Sequence, residues 1–227
     1  MNADLWYCSH GEEKMTEILY EDSYCIACVK KPGMLSEESD SPESLPLILR
    51  NEHNTDIFTL HRLDKPVGGV ILYAKNKKAA SAFSSVIAEN RLTKTYLAVL
   101  DGSPEKDEDR LCDLLFKDSR KNKTFVVKKM RKGVRDAALR YTVTERSEKN
   151  TLVKVTLETG RSHQIRVQFA SRKLPLTGDG KYGSRDNGCT IALWSHSLEF
   201  DHPFTKEHIV IESNPDYCTY PWKLFRK

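Results

Sequence analysis

Residues 58–75, FTLHRLDKPVGGVILYAK, set His61, Arg62, Asp64 and Lys65 between two apolar runs. Ile57, Phe58 and Leu60 lead in, and Val70, Ile71, Leu72 and Ala74 lead out, so the charges fall at a break between two strands. Pro66 and the pair Gly68-Gly69 free the backbone to turn there. A carboxylate flanked by cations at a strand-to-loop junction can hold charge beside a pocket without sinking into the core. Asp64 is therefore the first candidate for chemistry, as a nucleophile or a general base. A second polar group lies far along the chain in GRSHQIR, residues 160–166. There Ser162 is the predicted cap of a helix that turns Ile165 and Phe169 inward, with His163 and Arg166, three apart, on its other side.

The elements that must position these groups can be read from periodicity. Residues 17–20 and 24–30 form two short strands, and Lys31-Pro32-Gly33 turns the chain out of the second. Leu45, Ile48 and Leu49 have helical spacing, and Asn76 caps a helix with Ala79, Phe83 and Val86 on one face. In the strand at 93–100, Tyr96, Ala98 and Leu100 share one side and Leu97 and Val99 the other, so Tyr96 by itself reads as core. Alternation around Leu139 and around Val153 marks two half-buried strands joined at residues 147–150. The glycine-rich loop at 174–187 lacks the Gly-Lys-Ser/Thr ending of a nucleotide loop. Residues 191–200 and 208–211 are expected to close the sheet. Many strands, few helices and no regular βαβ alternation predict an α+β fold around a largely antiparallel or mixed sheet. Residues 1–14 read as an N-terminal arm and 15–227 as a single domain.

Charge is unevenly spread. Between 117 and 135, nine cations (Lys117, Arg120, Lys121, Lys123, Lys128, Lys129, Arg131, Lys132 and Arg135) meet one acid, Asp118, in a chain whose net charge is only +4. Phe125, Val126, Val127 and Met130 lie within the run, which predicts a hairpin with basic edges, suited to a polyanion. The six cysteines include Cys25 and Cys28 at a metal-like spacing, yet in a strand residues three apart point to opposite faces. Buried reduced thiols are the expectation. No run approaches the length of a membrane span and no signal-peptide pattern opens the chain, so the expected compartment is the cytoplasm.

Taken in order, HRLD at 61–64, KTYLAVLDG from Lys94, TGRSHQIRVQF from Thr159 and PLTGDGKYG from Pro175, after an early Lys31-Pro32-Gly33 turn, resemble the RluA-type family of pseudouridine synthases. The likeness runs from about Glu17 to about Glu207. Two departures stand out: Val67-Gly68-Gly69 where the family has Thr-Ser-Gly, and Leu193-Trp194-Ser195 where it has Leu-His-Ala. The resemblance implies a single catalytic domain with a long bent sheet, flanking helices and a central cleft, without a separate N-terminal RNA-binding domain. It implies an isomerase that flips uridines out of structured RNA, ribosomal or transfer, and rejoins the base through C5. It assigns catalysis to Asp64, with Arg161 as its cation and Tyr96 as the stacking face. Around the substrate it places Arg62, His61, Ile165 and His163, with His61 supporting the loop by hydrogen bonding. The basic run would contact the RNA backbone. The reaction needs neither cofactor nor metal, and the lack of an apolar heptad points to a monomer. Two other readings compete: a non-catalytic RNA-binding protein on the same fold, and a hydrolase using Asp64 with His61 or His163.

Overall fold

The computed structural model describes residues 16–225, so the arm expected at 1–14 lies outside the described residues. The chain runs through β1 (Ile18–Glu21), β2 (Cys25–Lys30), α1 (Leu45–His53), β3 (Phe58–Thr59), β4 (Gly68–Ala74), α2 (Lys77–Ala88) and β5 (Leu92–Asp101). It continues with β6 (Glu108–Asp118), β7 (Lys123–Val127), β8 (Val134–Arg146), β9 (Asn150–Leu157), α3 (Gln164–Ala170), β10 (Leu193–Asp201) and β11 (His208–Glu212). These strands form one 11-stranded sheet in the order β1-β2-β4-β10-β5-β9-β8-β6-β7, with β3 and β11 paired onto β4 and β10. Only the β4 and β10 pairing is parallel, so the α+β, largely antiparallel expectation holds. No helix among the described residues is long and apolar enough to cross a membrane.

Alternation divides the core as the sequence pattern requires. Tyr96, Ala98 and Leu100 pack with Leu63, Val67, Ile165, Phe169 and Leu193 on one face of the sheet, while Leu97 and Val99 join Trp222 and Phe225 on the other. Cys25 and Cys28 likewise fall into different clusters, and both are free thiols. Asn76 caps α2, its side chain accepting from the Ala79 amide at 2.8 Å.

Two expectations are corrected. β10 does not close the sheet but runs through its middle, between β4 and β5. Its backbone pairs with β4 along one edge and with β5 along the other, so neither edge there is free. Ser162 does not cap α3; His163, in a left-handed conformation, precedes the helix and makes no side-chain cap. The Gln164 side chain ties the entry instead, its Oε1 accepting from the Arg161 amide at 2.9 Å and from the Thr159 hydroxyl at 2.8 Å.

The parallel pairing explains both departures from the family pattern at once. Trp194 and Ser195 pair with Gly68 and Gly69. A Cβ at 68 would overlap the Trp194 ring, and one at 69, where φ is +113°, would overlap the Ser195 backbone. The bulky indole and the missing side chain therefore compensate one another. Gly68→Ser should destabilise the protein by about 1–3 kcal/mol through overpacking. In a Trp194→Ala background the same change should cost little, so urea unfolding of the four proteins should show a coupling energy. Strict additivity to within about 0.5 kcal/mol would refute the compensation.

Candidate active site

Asp64 sits on the turn between β3 and β4, and the segment after β2 clamps that turn through backbone atoms. Ser36 Oγ donates to the Leu63 carbonyl at 2.9 Å and accepts from the Leu63 amide at 3.1 Å. The Gly33 amide donates to the Lys65 carbonyl at 2.8 Å, and the Val67 amide to the Asp64 carbonyl at 2.9 Å. Two points of the chain thirty residues apart in sequence thus fix one carboxylate.

The cation on that carboxylate is Arg166, not Arg161. Arg166 Nη1 donates to Asp64 Oδ2 at 2.8 Å. The other edge of the same guanidinium grips Asp179, Nε to Oδ2 at 2.7 Å and Nη2 to Oδ1 at 2.9 Å. The Arg166 and Asp179 side chains are 5% and 1% exposed, against 27% for Asp64. Asp179 therefore orients the guanidinium and leaves Nη1 for Asp64. Burial opposes the charge of Arg166, but the two carboxylates more than offset it and raise its pKa. Arg161 lies before the helix, at the rim, where its Nε donates to the Asp136 carbonyl at 2.9 Å. Arg161 precedes α3, whereas Arg166 lies in its first turn, on the side that faces Asp64.

Asp64 lines an open cleft. Its walls include Val67, Tyr96, Leu157, Ile165 and Leu193, with Arg62, Arg161, His163 and Arg166 among the polar lining. The Tyr96 ring is largely buried, and its phenol is pushed up by burial and by the Asp64 charge, against a hydrogen bond with Ser195. It keeps its proton at neutral pH. Arg62 is exposed and pairs with Glu37 at 2.7 Å. His163 Nε2 stands 3.6 Å from Asp64 Oδ2, and its Nδ1 bonds the Tyr182 hydroxyl at 2.9 Å. Burial lowers the His163 pKa despite Asp64, so the ring is neutral.

His61 is not among the cleft's lining residues. Its Nε2 accepts from the Leu72 amide at 3.1 Å, and burial holds its pKa well below the usual histidine range. It is a neutral brace behind the turn, and its place among substrate-binding residues is withdrawn. The basic run does fold as a hairpin, β6 and β7, packed beside the cleft. Thr124 Oγ1 donates to the Ser162 carbonyl at 2.9 Å, and the Thr124 amide to the Tyr182 hydroxyl at 2.8 Å. Tyr182 also lies under Arg166, 5.0 Å from its guanidinium carbon to the ring centre. Asp179 and Tyr182 were not singled out from sequence, although both lie in the PLTGDGKYG stretch.

With this geometry in place, comparison with known proteins is decisive. A family model described as RNA pseudouridylate synthase matches residues 24–171. The chain belongs to the RNA pseudouridylate synthase family. It is 31% identical over 214 residues to the ribosomal large subunit pseudouridine synthase C of Buchnera aphidicola subsp. Baizongia pistaciae, covering 88% of this chain and 67% of that one. It is 32% identical over 222 residues to the tRNA pseudouridine synthase C of Haemophilus ducreyi, covering 87% and 90%. Among solved structures, human RNA pseudouridylate synthase domain containing 1 superposes with a TM-score of 0.77 at 22% identity, over 94% of this chain and 89% of that one, a likeness of fold. The protein is thus an RNA-modifying isomerase, and the non-catalytic and hydrolase readings fall away.

One cluster of the synthase has ligand atoms close enough for a metal, Asp22, Cys25 and His202 among the described residues. Its chemistry does not suit an ion. His202 Nδ1 accepts from the Phe204 and Thr205 amides at 3.3 and 3.0 Å, so the neutral ring carries its proton on Nε2, the atom 3.1 Å from Asp22. Burial pushes the Cys25 thiol up, and Asp22 Oδ1 already takes the Tyr24 and Cys25 amides at 2.7 Å. The three residues brace the β1 to β2 turn against the segment after β10.

Proposed function

We propose that the synthase isomerises uridine in a structured RNA using Asp64 as the carboxylate that acts at the ribose, Arg166 as its counter-charge and Tyr96 as the platform for the flipped base. The observation that supports this most is the 2.8 Å contact from a buried guanidinium to a partly exposed carboxylate, inside a cleft walled by Tyr96, Ile165 and Leu193. The charge-assisted bond from Arg166 orients the carboxylate in the cleft. Only Oδ2 of Asp64 is engaged among the described residues, which leaves Oδ1 for the substrate. The reaction breaks the bond from C1′ to N1 and forms one from C1′ to C5. The C5 proton leaves and N1 gains one, so atoms and electrons balance without an oxidant, metal or organic cofactor.

The base must leave its stack to reach Asp64 in this cleft, at a cost of a few kcal/mol that stacking on Tyr96 and contact with the apolar wall offset. Arg62 and Arg161 at the rim, with His163, are placed to hold the flipped nucleotide. The β6 and β7 hairpin and the turn from β7 into β8 carry the cations of 117–135, which would engage backbone phosphates and make binding steeply salt-dependent. Lys123 and Arg131 lie over aromatic rings, at 5.1 Å from Tyr182 and 4.9 Å from Phe116, so their charge is carried on a braced surface. The relatives' names point to ribosomal large subunit RNA and transfer RNA, and we propose one of these as substrate, modified in the cytoplasm by a monomer. Pseudouridine mapping of total RNA from cells lacking the gene, against the parent strain, should show one or a few vanished sites. An unchanged map would refute the substrate assignment.

A further inference from the structure

Lys30 is the largest charged side chain with no exposed surface at all, and the chemistry outlined above does not use it. Its Nζ donates to three main-chain carbonyls, Val67 at 2.7 Å, Lys65 at 3.1 Å and Lys31 at 3.3 Å. Two of these, Lys65 and Val67, lie on the turn that carries Asp64. An ammonium is a costly way to satisfy carbonyls in the core, because a neutral donor would do so without desolvating a charge. Something must offset that cost. The charge balance of the site supplies a reason: Asp64 and Asp179 both draw on the single guanidinium of Arg166. Two negative charges against one leave the centre one positive charge short.

We propose that Lys30 is a positioning residue for catalysis: its ammonium fixes the Asp64 turn through the Lys65 and Val67 carbonyls and supplies the positive charge that the two carboxylates on Arg166 leave unmatched. This rests on the reading of Asp64 as the catalytic carboxylate. Because the ammonium acts through backbone carbonyls and through its field, it touches no reacting atom. Its neighbours are consistent with the role. In the sheet it pairs with Gly69 of β4, which brings no side chain. The charges acting on it are Asp64, which favours the protonated amine, and Lys65, which opposes it. Burial, the largest influence, brings its pKa from 10.5 down to about 8. The amine is therefore charged below about pH 8 and loses its proton as pH rises through that value, so activity that depends on the charge falls over the same range.

The test uses single-turnover pseudouridine formation on total RNA from cells lacking the gene, with Asp64→Ala as a control in the same assay. The wild type should show a basic limb near pH 8. Lys30→Met should bind that RNA within about threefold of the wild type yet react about 100-fold more slowly at pH 7, the scale of a misplaced reacting group, and its residual rate should show no limb near pH 8. Lys30→Gln, which keeps a donor without the charge, should behave likewise and serves if the Met variant does not fold. A folded variant within twofold of wild type at pH 7, or one that retains the limb, overturns the proposal. If neither variant folds, the wild-type profile decides, and a rate flat from pH 7 to 9 overturns it. Activity surviving in Asp64→Ala would instead sink the reading of Asp64, whatever Lys30 does.

Discussion

Asp64→Ala should lower pseudouridine formation by about 10⁴-fold or more, the scale seen when a group acting directly in covalent or acid-base catalysis is removed. RNA affinity should stay within about threefold, since the proposed phosphate contacts lie on the basic hairpin and not on Asp64. The fold should survive, because Asp64 is partly exposed and the turn is held by backbone contacts from Ser36 and Gly33 rather than by the carboxylate. The measurement is a single-turnover rate alongside filter binding and thermal unfolding. Retained activity in a folded variant would place the chemistry elsewhere in the cleft. Asp64→Asn is the more demanding version, since it preserves shape and removes only the charge that Arg166 holds.

The second large effect separates two arginines five residues apart. Arg166→Gln should cost about 10³-fold in rate, because the charge on Asp64 then has no buried partner. It should also destabilise the protein by about 3–5 kcal/mol, the usual consequence of stranding one member of a buried ion pair, here Asp179. Arg161→Gln should change the rate by no more than about fivefold and leave stability within about 0.5 kcal/mol, as expected for a rim residue. Arg166→Lys should not rescue, since one ammonium cannot bind Asp179 with two donors and still reach Asp64 with a third from a planar fork. The reverse ranking, with Arg161 essential and Arg166 dispensable, would undo the assignment of the ion pair.

The loss of stability in Arg166→Gln raises a question of interpretation that Asp179→Asn answers. That variant removes the orienting carboxylate but leaves Arg166 facing Asp64. A modest fall in rate there, with Asp64 still paired, would show that Asp179 acts by aiming the guanidinium. Tyr182 belongs to the same arrangement, since its ring lies against Arg166 while its hydroxyl joins the hairpin to His163. The surface proposed to meet RNA is therefore mechanically continuous with the carboxylate and its counter-charge.

The sequence by itself determined where most of the strands lie, though not the full length of β6, and that a charged break in an apolar strand pair would present Asp64. Period-two alternation does this locally: it put Tyr96 with Ala98 and Leu100 and separated Cys25 from Cys28, while the apolar residues inside the basic run marked it as a hairpin. The order of motifs was enough to indicate the family. Only the tertiary structure decided which cation meets Asp64, because Arg161 precedes α3 and Arg166 lies in its first turn, after a left-handed residue no periodicity reveals. It also decided that β10 lies at the centre of the sheet, where Gly68 and Trp194 compensate, and that Lys30 is buried against the turn that carries Asp64. Each of these depends on contacts between segments tens of residues apart or more. Local pattern encodes the preference of a segment for a face, whereas the pairing of charges and the packing of a glycine against an indole exist only once the segments are brought together.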